Sequence, residues 1–158
     1  MMERVVVLGR GAAGKSTAAV DLGRITELPV IELDKHFWRP RLAPMPRDEW
    51  TQLQHVLAAP GRWIMDGDLG PYDAPAARLE RADTVVILDF SLARCAWRAA
   101  RRSRQRADFW WWLLTWRYRS RAAVLDAVAT FAPGADVHIL RTPDELRRFL
   151  STVASKLH

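Results

Sequence analysis

The chain has one cysteine, three lysines and no long apolar run, and each shortage excludes something. Cys95 has no partner for an internal disulfide, and no second thiolate exists to build a zinc site. That agrees with a reducing compartment. No apolar stretch reaches the ~18 residues of a membrane span. The first strand begins near Arg4 with no charged-then-apolar leader before it, so the cytosol is the expected location. His36, His55, His138 and His158 show no metal-ligand spacing and read as structural. Repeats, linkers and low-complexity segments are missing too. What remains is 158 residues, 49% hydrophobic, enough for one domain (1–158) with a full core.

Charge is unevenly placed. The net value is +6, yet Arg94 to Arg121 holds nine arginines and one acid, Asp108, leaving that segment at +8 and the rest at −2. A local excess of this kind asks for a local anionic partner.

Gly9-Arg10-Gly11-Ala12-Ala13-Gly14-Lys15-Ser16 fits G-x-x-x-x-G-K-[ST], the phosphate-binding loop. Before it, Arg4-Val5-Val6-Val7-Leu8 reads as a buried strand. After it, Ser16 to Leu22 reads as a helix closing near Gly23. Strand, glycine loop, helix is the order the motif requires. Glycines let backbone N–H groups turn toward phosphate oxygens, and the helix N-terminus favours anions. The nucleotide-binding set is therefore Gly9, Gly11, Ala12, Ala13, Gly14, Lys15, Ser16 and Thr17. Lys15 is expected to reach the β- and γ-phosphates, and Ser16 to ligate Mg²⁺.

Further along, Val30-Ile31-Glu32-Leu33 is a second strand ending at Asp34, and residues 35–46 are proline-rich and expected to be irregular. A helix from about Asp48 to Ala58 carries Trp50, Leu53, Val56 and Leu57 on one apolar face. Trp63-Ile64-Met65 is a third strand ending at Asp66-Gly67-Asp68, with a short helix around 74–81 after it. Thr84 to Leu88 is a fourth, ending at Asp89. Ser91 caps the next helix. A long aromatic helix spans about Phe109 to Thr130, Val137 to Leu140 is the fifth strand, and Thr142-Pro143-Asp144-Glu145 is a capping box opening a C-terminal helix. Five short apolar strands alternating with helices mean α/β with a parallel sheet covered on both faces.

In such sheets ligands bind beyond the carboxyl ends of the strands. Asp34, Asp66 and Asp89 sit there, each also able to serve as a cap or turn residue, and Asp66 and Asp89 compete for the role of Mg²⁺ carboxylate. Asp34 can orient an acceptor hydroxyl or act as a base. Arg94, Arg98, Arg101, Arg102 and Arg106 fall roughly on one helical face, suited to the charge that builds on a transferring phosphoryl group. The run Phe109 to Tyr118 suits packing, with ring stacking and membrane-surface contact as other uses.

With these residues placed, the chain resembles the adenylate-kinase-related P-loop proteins known as DNA topology modulation or FlaR-like proteins. The shared marks are Gly9–Ser16, Leu33-Asp34-Lys35 with Phe37-Trp38, Trp63 to Asp68, Ala82-Asp83-Thr84 leading to Leu88-Asp89, the basic helix from Arg94, and Leu140-Arg141-Thr142. Asp68 departs from the usual Asn, and Phe90-Ser91 from a Pro-Arg pair. The resemblance implies a three-layer nucleoside-monophosphate-kinase core with strand order 2-3-1-4-5 and a helical lid over about 94–130. It makes Asp66 the better Mg²⁺ candidate and puts Arg141 near the adenine. The expected activity is transfer of the γ-phosphoryl of ATP, or another Mg-NTP, to a small acceptor such as a nucleoside monophosphate. Lys15, Asp34, Arg94, Arg98 and Arg102 are the catalytic candidates, and Arg98 and Arg141 also bind nucleotide. A monomer or homodimer is expected. The alternative is a P-loop NTPase that binds nucleic acid through its basic segment.

Overall fold

In the computed structural model of the chain, residues 1–9, 13–69, 72–101 and 121–157 are described. They run β1 (Arg4–Gly9), α1 (Lys15–Thr26), β2 (Val30–Glu32), α2 (Leu33–Phe37), β3 (Trp38–Arg39), a 3-10 turn (Pro40–Leu42), β4 (Ala43–Pro44), α3 (Arg47–Ala58), β5 (Trp63–Asp66), α4 (Ala76–Leu79), β6 (Thr84–Leu88), α5 (Leu92–Arg101), α6 (Arg121–Phe131), β7 (Asp136–Leu140) and α7 (Pro143–Leu157). The main sheet has the order β2-β5-β1-β6-β7, all neighbours parallel. Counted within that sheet, this is the expected order 2-3-1-4-5.

The central strand shows why the chain folds this way. Val5, Val6, Val7 and Leu8 are all buried. Val5 and Val7 pack with Ala18, Ala19 and Leu22 of α1 and Val153 of α7. Val6 and Leu8 face the other way, toward Trp50, Trp63, Leu79 and Val128. Alternate side chains thus supply two cores, each residue contributing about 1.5–3 kcal/mol of burial. A strand covered on both faces has no use for polar residues, which is why the run is unbroken. Asp83 fixes where β1 starts, accepting from the backbone N–H groups of Glu3 and Arg4 and from the Thr84 hydroxyl.

Three readings change. Gly23 does not end the first helix; α1 runs to Thr26, and Glu27 in the left-handed region (φ 57°) ends it. A Cβ on Gly23 would stand 2.6 Å from Val30 Cγ2, so this glycine serves close packing of α1 on β2. Residues 35–46 are ordered into part of α2 and the antiparallel β3–β4 pair, because Leu33 and Phe37, four apart, are both fully buried. On α3 the buried line is Trp50, Gln54 and Ala58, while Val56 is 68% exposed. Gln54 is accommodated on the buried line because its amide donates to Ala74 O (2.8 Å), and Val56, about 200° round the helix from it, faces away. The aromatic helix is described only from Arg121 onward, as α6; the run Phe109–Tyr118, with Arg102 and Arg106, lies outside the described residues.

Gly9 ends β1 at φ 144°, where an added Cβ would stand 2.4 Å from the Leu88 carbonyl oxygen of β6. Neither backbone can give way without opening the sheet. Gly9→Ala is expected to cost at least about 2 kcal/mol. Denaturant unfolding of parent and variant checks this, and a cost under about 0.5 kcal/mol contradicts it.

Candidate active site

The site forms where β1, β2 and β5 end. α1 starts at Lys15 straight after Gly14, whose left-handed conformation (φ 89°, ψ 27°) leaves the helix N-terminus without a side-chain cap. Ala13 is buried beneath the loop, Thr17 is exposed on the first turn, and Arg10, Gly11 and Ala12 lie outside the described residues. Arg98 of α5 reaches this point. A Cβ on Gly14 would stand 3.2 Å from Arg98 Nη1 and 3.3 Å from Nη2. The bare glycine therefore makes room for a guanidinium directly against the loop.

β5 lies beside β1 with Asp66 in register with Val7. This brings Asp66 under the start of α1, where the Ser16 hydroxyl donates to Asp66 Oδ2 at 2.6 Å. Asp66 is 4% exposed, and its other oxygen, Oδ1, is buried without a hydrogen-bond partner. Burial pushes its pKa up; the Ser16 bond and the Lys15 charge pull it down, and Asp34 and Glu32 raise it further. A buried carboxylate oxygen with no donor is costly unless a cation meets it. Mg²⁺ takes oxygen ligands, commonly one or two carboxylates plus phosphates. The Ser16 hydroxyl and Asp66 fit that requirement. Among the described residues no group of three His, Cys, Asp or Glu could hold a metal by itself, so a cation here would depend on a nucleotide's phosphates.

Asp89 is placed differently. Its Oδ2 accepts from Arg121 Nε at 3.0 Å, and its side chain is 11% exposed. The carboxylate at the end of β6 is thus occupied in tying α6 to the sheet.

Asp34 opens α2 beyond β2. It keeps an exposed face, so its desolvation is partial, yet burial still raises its pKa. The Lys15 charge and a hydrogen bond from the Trp38 side chain lower it, while Asp73 and Glu32 raise it. Lys15 therefore acts on both Asp34 and Asp66.

Arg78 is absent from the sequence expectations. It is fully buried and grips both carboxylate oxygens of Asp73, at 2.9 Å and 2.5 Å. It also donates to Gln54 Oε1 (2.6 Å) and to the Gly67 carbonyl (3.3 Å). Burial alone would raise Asp73, but Arg78 brings it below its ordinary value. Gly67 is held from the other side as well: at φ 153°, a Cβ there would stand 2.9 Å from Leu33 Cβ. The turn after Asp66 is clamped between α4 and the residue that precedes Asp34. No motif marks Arg78; the one hint is an arginine inside a short apolar helix.

Arg94 and Arg141 meet elsewhere. With Ser91, Thr142, Pro143 and Arg147 they line a cleft of about 520 Å³ between the starts of α5 and α7. Ser91 caps α5, accepting from Arg94 N. The expected capping box forms with a shift of one residue: Thr142 Oγ1 accepts from Glu145 N (3.2 Å), and Glu145 accepts from Arg141 N (2.7 Å). The arginine row of α5 is divided in use, since Arg101 stacks on the exposed ring of Trp97 at 4.5 Å.

No protein-family model matches the sequence, and among curated proteins no relative is found. Solved structures do match. Shikimate kinase from Acinetobacter baumannii, in complex with shikimate, superposes with a TM-score of 0.66 at 17% identity over 99% of this chain and 93% of that one. An unliganded sugar kinase from Janibacter gives 0.58 at 20% identity (99% and 92%). A gluconokinase from Sinorhizobium meliloti gives 0.56 at 17% (98% and 95%). The chain has the fold of the small P-loop kinases. No helix among the described residues is long and apolar enough to cross a membrane.

The neutral form of Asp66 is the better tolerated one. Its stabilising share is complete below the unfolded value of 3.8 and is lost as pH rises through the raised folded value. Asp66→Asn removes the buried charge and keeps an acceptor for Ser16. Without metal, the variant is expected to melt above the parent at pH 7, with the gap closing toward pH 4. ATP with Mg²⁺ should stabilise only the parent. Thermal melts at both pH values decide; equal melting throughout, or a retained Mg²⁺ response, contradicts the assignment.

Proposed function

We propose that the chain is a Mg²⁺-dependent phosphotransferase that moves the γ-phosphoryl group of ATP, or another NTP, to a small hydroxyl acceptor. The observation that carries this reading is the pairing of Ser16 with Asp66 at the start of the glycine loop's helix, one carboxylate oxygen being left buried and bare. The kinase fold supports it, as do the neighbours, which include a shikimate, a sugar and a gluconate kinase. The FlaR-like, adenylate-kinase-related resemblance belongs to the same proposal, with a cytosolic monomer or homodimer.

Roles follow from placement. The loop N–H groups, with Lys15, bind the β- and γ-phosphates. Ser16 and Asp66 would hold Mg²⁺, which when bound neutralises charge on those phosphates. Arg98, whose guanidinium lies against Gly14, would meet the oxygens on which charge develops during transfer. Asp34 receives the proton of the acceptor hydroxyl; partial burial brings its affinity for a proton closer to what a base needs. Arg94 and Arg141 would flank the nucleoside in the cleft they share. The expected lid over about 94–130, with Arg102 among its cations, belongs to this proposal, its two described ends being fixed to the body by Cys95 and Val128 in the cores and by Arg121 on Asp89. Arg98 and Arg121 are both engaged inward, on Gly14 and Asp89, which favours a lid over a surface for nucleic acid.

Lys15→Ala is expected to weaken ATP binding at least about tenfold. Arg98→Ala is expected to lower kcat by about 10²–10³ with the melting midpoint preserved. Nucleotide titration and steady-state ADP release on the folded variants check both. Unchanged ATP affinity in the first, or unchanged kcat in the second, contradicts the reading.

A further inference from the structure

The acceptor side is the part of the site that neither the glycine loop nor the fold determines. We infer that the acceptor is a hydroxyl compound without an anionic group, an uncharged polyol or sugar or its amino derivative, held between Asp34 and the Trp38–Tyr72 ring pair. This rests on the phosphotransferase reading and specifies its acceptor.

Charge is the first reason. Asp34 lies in the field of Lys15, Asp73 and Glu32, and Asp66 in that of Lys15, Asp34 and Glu32; with Lys15 committed to the nucleotide's phosphates in this reading, the charges left to meet an acceptor here are the acids. Glu32 is in register with Asp66 on the adjacent strand and is partly answered by Lys35 at 3.0 Å. Arg78, the arginine beneath this region, has both terminal nitrogens taken by Asp73, Gln54 and the Gly67 carbonyl, and its unpartnered Nε is fully buried, so no part of it is open to an incoming anion. A nucleoside monophosphate or a sugar acid would set its phosphate or carboxylate against these acids.

Shape is the second. Trp38 is half-buried and donates to Asp34, which fixes the ring beside the carboxylate. Tyr72, 44% exposed, meets Trp38 edge-on with centroids 5.8 Å apart and leans on Phe37 at 6.3 Å. Phe37 is itself locked edge-on against buried Trp50 at 5.1 Å. An exposed aromatic pair on a rigid base, next to acids, suits the C–H face of a sugar or an ammonium group.

The third is a marker of where phosphate arrives. Asp66, more than nine-tenths buried, keeps Oδ1 unpartnered. Asp66 would hold a cation there, which would neutralise charge on the phosphates, and Asp34 lies within the field of the same carboxylate. In the transfer, the acceptor oxygen bonds to phosphorus as the bond from phosphorus to the β-γ bridging oxygen breaks. The hydroxyl proton passes to Asp34 and then to solvent, and ADP leaves.

The test uses the full chain with ATP, Mg²⁺ and single acceptors, read by ³¹P NMR for new phosphate esters: glucose, glucitol and glucosamine against AMP, CMP, gluconate and shikimate. The expected result is transfer to at least one of the first three, with kcat/KM at least about tenfold above every anionic acceptor. Tyr72→Ala, a change at an exposed side chain, should then raise that acceptor's KM at least about tenfold and leave the KM for ATP unchanged. Preferred transfer to an anionic acceptor, transfer to none of the seven by protein that binds Mg-ATP, or an unmoved acceptor KM in Tyr72→Ala overturns the inference. Failure to bind Mg-ATP at all overturns the phosphotransferase reading instead.

Discussion

The hydrogen bond from Ser16 to Asp66 depends on one topological fact, that β5 lies next to β1. Ser16 belongs to the helix that follows β1 and Asp66 to the end of a strand fifty residues on. Only the insertion of β5 between β2 and β1 brings them within 2.6 Å. That order also puts Glu32 at the end of the adjacent strand and Asp34 just beyond it in α2, so Asp34 and Asp66 both lie in the field of Lys15 and of Glu32. The remainder of the fold keeps this edge of the sheet in place. Two hydrophobic cores hold β1 flat between its neighbours, and Asp83 fixes its start.

Charge is used twice for positioning, once as a buried pair and once as a half-buried one. Arg78 with Asp73 fixes the Gly67 carbonyl and the backbone N–H groups of Leu69 and Ala74, both of which donate to Asp73. Arg121 with Asp89 sets the start of α6 at the end of β6. Such pairs contribute little net stability against apolar replacements, since desolvation offsets attraction. What they supply is geometry at the mouth of the site. Asp66 is the contrasting case, a buried carboxylate with one oxygen unanswered by protein. Of the acids at the strand ends it is the one whose surroundings call for an added cation.

Much of this was legible in the sequence, and the limits have physical causes. The glycine loop announces itself because phosphate binding demands particular backbone angles and one lysine at fixed spacing. Unbroken apolar strands and their terminal acids follow from a sheet covered on both sides. The strand order came from resemblance, since local sequence says nothing of which strand lies beside which. Gly23 misled because a glycine serving close helix–strand approach looks like one that ends a helix. Val56 misled because the buried line of α3 runs through Gln54, a polar residue whose hydrogen bond to Ala74 O hydropathy does not foresee, and this turns Val56 outward. The Arg78 network left no trace because its members come from α3, α4 and the connection between β5 and α4, and only packing unites them.

The central claim is that a divalent cation binds between Ser16 and Asp66 when nucleotide occupies the loop. A crystal structure with Mn²⁺ and a non-hydrolysable ATP analogue, with the ion located from its anomalous signal, tests this directly. The account predicts one peak within ligand distance of Ser16 Oγ and an Asp66 carboxylate oxygen, with Asp89 still paired to Arg121. A peak on Asp89, or an occupied loop with no ion near Asp66, would contradict it.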